Sequence, residues 1–389
     1  MQLSTRSPAG NPAAVAGTTL GIMLGALALL VIAPGTAEAY PQFQFSTGNS
    51  TCTPCHFSPV GGGLIADWGR DEAGDSISMG GDGRFLHGLW VPPEWLALGV
   101  DIRFAGGLKN TDAESESLLF PMQGDLYLRG QFKDFSAYFA SGACCSAREP
   151  MNGESAPKFF AREFYVMYRP STASYYVRAG RFYTPFGLRH QDHTMYVRRD
   201  NGQYLGEETI TLSGGYSGSD WDVHLGLFTP DPVQTPTRQR SSGFSVLYEN
   251  RLAEDNGSWG GHLKVDLGDH NTRFTAGALG KYWLAKPGIM LLAELDSTLE
   301  TFAGAGDPRV QALAHLNATY FLTTGVMLGV TLEHYDTDLK IGSTERDSFA
   351  LTAQVFPRAH FEVMALARYE VISDSSNAAI ALLMLHYYL

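Results

Sequence analysis

Beyond residue 33, this 389-residue chain has no apolar run of the ~20 residues that a membrane-spanning helix needs, so helices do not carry that part across a bilayer. Charge is also sparse and tilted to one sign: charged residues make up 17%, with 40 Asp and Glu against 28 Lys and Arg, for a formal net charge of -12. That balance excludes nucleic acid as a partner, because a polyanion is held by a cationic surface. An acidic surface concentrates cations instead. The G-x-S-x-G, P-loop and H-E-x-x-H patterns are absent, which removes the hydrolases and transferases built on those sites. Cysteine is scarce, with four in all: Cys144 and Cys145 side by side, and Cys52 and Cys55 far from them.

What is present is more specific. The run Cys52-Thr53-Pro54-Cys55-His56 is a C-x-x-C-H pattern, the attachment signature of c-type haem. Two thiols so spaced can each add to a haem vinyl group, and the imidazole that comes next then lies beneath the porphyrin as proximal iron ligand. A structural disulfide, a thioredoxin-like redox pair or half of a zinc site would also use two such cysteines, but none explains the adjacent His56 as well. A zinc site wants further Cys or His at ligand spacing, and Cys144-Cys145 offers only a strained vicinal disulfide or a pair of inert thiols. Residues 1–39 read as a cleaved secretory signal peptide, with one early charge (Arg6), an apolar run ending at Ala33 and the small-residue ending Ala37-Glu38-Ala39. Haem is joined to this motif outside the bacterial cytoplasm, so export and motif agree.

Residues 40–95 form a unit of their own, carrying the motif, then Gly61-Gly62-Gly63, Gly80-Gly81 and a close at Pro92-Pro93. So glycine-rich a stretch cannot build an independent core, so the haem itself serves as core and the walls come from the chain beyond residue 95. Two residues are candidates for the distal iron ligand, Met79, 23 residues after His56, and His87, 31 after it, with a histidine of the lumen as the alternative. A thioether there raises the potential. From residue 96 to residue 389 the pattern changes to period two, as where Trp221, Val223, Leu225 and Leu227 alternate with Asp222 and His224. Sixteen such segments can be counted, and long polar connections (107–117, 143–157, 183–203, 230–238, 298–309, 337–345) alternate with short ones. An even strand number with alternating short and long turns predicts a mainly β fold: a sixteen-stranded antiparallel transmembrane barrel in the outer membrane, short turns periplasmic, preceded by a c-type cytochrome segment acting as a plug. Asp101, Arg103, Asp125, Arg129, Glu163 and Glu333 fall on the polar faces, and the connection 183–203, with Arg189, His190, His193, Arg198 and Arg199, is expected to fold inward.

An exported C-x-x-C-H segment fused directly to such a barrel resembles the fused monohaem cytochrome-porin family, whose characterised members are outer-membrane iron oxidases. The local likeness lies in Tyr40, Phe43, Phe45, Gly48, the haem motif and Pro59, while Ser46 and Thr47 stand where the iron oxidases commonly have a basic residue. The run from Gly180 to Gly187 is similar to the G-x-F-x-x-P-F-G run of phosphate-selective porins. The resemblance implies electron transfer, with one covalent haem c, an extracellular donor (ferrous iron or a surface cytochrome) and a periplasmic c-type cytochrome as acceptor. It implies an iron:cytochrome c oxidoreductase activity. A diffusion porin with a haem-bearing plug and a haem-based redox sensor are the alternatives.

The motif makes the first prediction. Cys52→Ala combined with Cys55→Ala is expected to abolish haem peroxidase staining on denaturing gels, whereas staining that persists removes the covalent assignment.

Overall fold

The computed structural model describes residues 41–144, 158–190, 192, 194–204, 207–230, 241–304, 306–373, 375 and 377–389. Sixteen strands run in chain order: β1 (Leu96–Thr111), β2 (Ser115–Phe132), β3 (Phe135–Cys144), β4 (Lys158–Tyr168), β5 (Tyr175–Phe182), β6 (Thr209–Ser217), β7 (Trp221–Thr229), β8 (Ser241–Arg251), β9 (Gly257–Gly268), β10 (Asn271–Leu284), β11 (Ile289–Phe302), β12 (Arg309–Thr323), β13 (Val326–Asp336), β14 (Glu345–Arg358), β15 (Phe361–Ile372) and β16 (Ala378–Tyr388). Each pairs with its sequence neighbours, and β1 pairs antiparallel with β16 from Asp101↔Tyr388 to Thr111↔Ala378, so the sheet closes into a barrel. Closure removes the sheet edges, which is what a strand-built wall in lipid requires.

The alternation is inverted relative to a soluble sandwich. Along β7, Leu225 and Leu227 face outward at 53% and 61% exposure while Asp222 and His224 are buried in the lumen. Along β11, Leu295 and Leu299 face outward, and Glu294, Asp296, Thr298 and Glu300 are buried. The outer face is thus an apolar band and the inner one a lining of ionisable groups. The first hairpin differs from the sequence pattern. Polarity predicts an acidic loop over 107–117, but β1 and β2 run on to Thr111 and Ser115 and leave only residues 112–114 as a turn. Leu108 and Leu119 sustain the outward apolar row, and the register sets Lys109 opposite Glu116, an opposite-charge cross-strand pair compatible with the extension.

The connections 133–134, 218–220, 324–325 and 359–360 lie at one end, and the long connection 183–208 lies at the other, together with the short turns 112–114 and 269–270. Residues 41–95 pack inside the short-turn end. They include two helices, α1 (Phe43–Ser46) and α2 (Asp67–Asp75), and a 3-10 turn at Phe85–Gly88. Phe43 stacks edge-on against Phe321 and Phe356 at 5.8 and 5.9 Å, and Phe45 joins Leu188, Leu247, Leu279, Met290 and Leu292 in one apolar cluster. Burying each of these two rings is worth about 2–3 kcal/mol, so two residues of a four-residue helix anchor the segment. A polar chain ties the same segment to the closing seam. Gln42 reaches Gln354, Gln354 donates to Glu362, His386 bridges Glu362 and Asp101 at 2.9 and 3.1 Å, and Arg103 pairs with Asp101 at 2.9 Å.

A third short helix, α3 (Tyr196–Arg199), belongs to the connection 183–208, whose described residues fold inward from the opposite end. Tyr196 N–H donates to Glu333 at 2.6 Å and Arg199 pairs with Glu370 at 3.6 Å. The inward fold expected for this loop is present, although His193 lies outside the described residues.

The end of such barrels opposite the long loops faces the periplasm. Single cysteines introduced at positions 114 and 134 should therefore differ, with only position 114 labelled by an impermeant thiol reagent on intact cells. Labelling at 134 and not at 114 would invert the topology.

Candidate functional site

The Cys52–His56 stretch makes a tight turn in which the His56 amide donates to the Cys52 carbonyl at 3.0 Å. His56 then forms a bridge with Ile65, and the Ala66 amide donates to the Cys55 carbonyl at 2.9 Å, so the chain doubles back on itself. The reversal runs through Gly61, Gly62 and Gly63 with φ of 80°, 74° and 67°, three successive left-handed residues that side-chain-bearing residues do not adopt in series. Two contacts lock this turn to the barrel. Tyr138 Oη accepts the Leu64 amide at 3.3 Å, and Arg189 donates to the Gly61 carbonyl at 2.7 Å while pairing with Glu163 at 2.9 Å.

The plug turn from one end and the loop from the other border a cavity of about 80 Å³ that is partly open to solvent. Cys52, Cys55 and His56 all line it, joined by Leu188 and Arg189 from the loop and by Asp222, His224, Leu247, Glu249 and Lys281 from the barrel wall. Its polar floor is tightly knit: Lys281 pairs with Glu249 at 2.7 Å and donates to Gln44 at 2.8 Å, while Arg251 donates to the Ser50 carbonyl at 3.0 Å. Cys52 and Cys55 are free thiols. Burial pushes the Cys52 thiol up to about 11, and burial together with the neighbouring Cys52 pushes Cys55 up to about 12. Thiols held so far toward the protonated form are poor redox nucleophiles, which argues against the thioredoxin-like reading. The donor set, two thiols and an imidazole lining one space, is that of a covalently held haem, while the space itself is smaller than the ~300–1,000 Å³ of preformed cofactor sites.

The distal candidates fall elsewhere. Met79 is 36% exposed and abuts the turn at Gly325, where a Cβ would lie 2.6 Å from its Cγ. His87 packs edge-on against His360 at 5.2 Å, and its Nδ1 is 3.3 Å from the Asp82 carbonyl. Both sit at the short-turn rim, and neither is among the cavity-lining residues. The imidazole that does line the cavity with His56 is His224, buried on β7, its Nδ1 3.0 Å from the Tyr176 hydroxyl. Its only trace in the sequence is a polar place in the alternation of β7. The other polar-face residues are engaged in pairs. Asp125 is bound by Arg162, Glu333 pairs with Arg368 at 2.9 Å and His315 at 3.1 Å, and Arg129 lies over the Phe57 ring at 4.1 Å. Cys144 ends β3 with its side chain outside the described residues, and Cys145 lies outside them altogether.

No known protein family and no curated protein matches this chain. Among solved structures, it is similar to the anion-selective porin from Comamonas acidovorans (15% identity, 76% of this chain and 99% of that one, TM-score 0.58). It is also similar to the outer membrane protein OmpT of Vibrio cholerae in its trimer form (10% identity, 76% and 99%, TM-score 0.57). A third likeness is to the outer membrane channel DcaP of Acinetobacter baumannii (10% identity, 76% and 97%, TM-score 0.55). At these identities the likeness establishes the fold, that of an outer-membrane porin barrel.

Arg189 joins wall, loop and plug. Arg189→Ala removes the cation that faces the buried Glu163 and should cost about 3 kcal/mol. Hydrogen exchange at residues 52–66 should quicken while the strands stay protected, and unchanged exchange there would show that Arg189 does not hold the turn.

Proposed function

We propose that this chain sits in the bacterial outer membrane, exported by residues 1–39, and passes electrons between a donor outside the cell and acceptors in the periplasm through one haem c. The observation that carries this reading is that both thiols and the imidazole of the attachment motif face a single cavity inside the barrel. Bound there, haem supplies a one-electron couple whose potential the protein sets through ligands, burial and hydrogen bonds. Cys52 and Cys55 would hold it and His56 would bind its iron. In this reading His224, steadied by Tyr176, takes over from Met79 and His87 as the distal candidate, because it shares the cavity with the motif. Leu188, Leu247 and Phe43 give the same space its apolar walls.

The described residues of the loop 183–208 fold into the lumen from the long-loop end, with Leu188 and Tyr196 buried, which favours a small donor. Ferrous iron therefore leads and a soluble or surface cytochrome comes second. The acceptor is a periplasmic c-type cytochrome, which makes the overall activity that of an iron:cytochrome c oxidoreductase. A diffusion porin with a haem-bearing plug is the second reading, favoured by the porin fold itself. Conductance of single barrels in planar bilayers separates the two.

Anaerobic stopped-flow mixing of the purified, haem-stained protein with ferrous iron is expected to give the reduced haem spectrum. No reduction at any pH where the barrel stays folded would exclude iron as donor and leave the plugged-porin reading in its place.

A further inference from the structure

One cluster in the lumen is used neither by the plug nor by the cavity. His262 on β9 and Glu294 and Asp296 on β11 are all buried, and one ligand atom from each lies within 4.8 Å of the others. The sheet register explains how residues from non-adjacent strands meet. Gly277 of β10 pairs with Asp296 on one side and His262 on the other, so the two side chains converge over a residue that has none. A Cβ at Gly277 would collide with both Asp296 Oδ1 and His262 Nε2, so the position admits only glycine.

The cluster is short of positive charge and of donors. His262 Nε2 contacts Asp296 Oδ1 and stands 3.8 Å from Glu294 Oε1, so a single imidazole proton faces two carboxylates. The remaining donors are neutral: the Leu188 amide to Glu294 Oε2 and the Asn201 side-chain amide to Asp296 Oδ2, each at 2.5 Å. The neighbouring cations are committed elsewhere, Lys264 to Asp266 at 3.2 Å and Lys281 to Glu249 at 2.7 Å. His262 Nδ1 is buried with no hydrogen-bond partner. Two carboxylates in so dry a place need a countercharge, which is either a shared proton or a cation.

We infer that His262, Glu294 and Asp296 form a binding site for a divalent first-row transition cation. One imidazole and two carboxylates, with water completing the shell, suit Fe²⁺, Mn²⁺ and Co²⁺ better than a soft thiophilic ion or a large all-oxygen one. Leu188 and Asn201, both on the inward loop, orient the carboxylates from outside the cluster. The site stands on this geometry alone. Its role as the last stop of the donor before the haem, reached across the Gly187-Leu188 backbone that borders both, rests on the electron-transfer reading.

Mn²⁺ is the probe. Titration of the folded barrel in detergent, monitored by loss of the free-ion electron paramagnetic resonance signal, should show one saturable site that disappears in Glu294→Gln and in Asp296→Asn. His262→Gln should weaken it at least ~10-fold, since even an outer-shell partner is worth about that much. Heat-modifiability on gels confirms that each variant counted is folded, and Glu294→Gln keeps the volume and the Leu188 hydrogen bond. Absence of saturable Mn²⁺ binding in the folded wild type, or binding unchanged in both carboxylate variants, overturns the site and leaves a shared proton as the countercharge. Haem staining of the same preparation is read separately, so a barrel that binds Mn²⁺ without haem sinks the electron-transfer reading only.

Discussion

Buried charge is the constraint on which this molecule depends. A strand that crosses lipid puts every second side chain outward and must make it apolar, so the polar half of the sequence is driven into a closed lumen. Arg178, Arg181, Glu362 and His386 are each buried to 1% exposure or less. Charges so placed are costly unless paired, and breaking one pair costs on the order of 3–5 kcal/mol. The lumen is accordingly knit into networks, and both the plug and the inward loop are held by groups of that lining: Glu249 and Lys281 on Gln44, Glu333 on the Tyr196 amide, Glu163 on Arg189. The polar lining is thus also the adhesive that fills the barrel.

Charge balance separates the two sites. At the cavity, cations and carboxylates balance locally, with Lys281 against Glu249 and Arg251 against Asp222. At the His262 cluster what is short is charge. In the proposed readings a cofactor would take the first and a hydrated ion the second. The loop residues 187–188 are shared by both, since Gly187 and Leu188 border the cavity and Leu188 also donates to Glu294.

Much of the barrel is legible in the sequence because period-two alternation survives any local irregularity. The start at Leu96 and the sixteen strands follow from it, and only the strand ends differ, as at 107–117, where β1 and β2 pair on through Lys109 and Glu116 in a hairpin whose polarity is that of a loop. The grouping of Cys52, Cys55 and His56 is legible because three residues within five positions need no tertiary information to meet. His224 and the His262, Glu294 and Asp296 cluster are not. Each is an ordinary polar place on a strand, and only the register across β9, β10 and β11, with Gly277 between, brings the latter three together. Met79 and His87 illustrate the converse, since spacing along a flexible glycine-rich stretch does not say which wall a side chain will reach.

The segment that bears the thiols lies inside a cylinder sealed by its own first and last strands, and Gln42 of that segment is linked through Gln354, Glu362 and His386 to the seam at Asp101. On the electron-transfer reading, maturation would have an order. A porphyrin bonded to Cys52 and Cys55 would have to be installed while the chain is still open, before β16 meets β1. The zip between the first and last strands would then be a checkpoint in time, dividing an open chain that can be edited from a closed barrel.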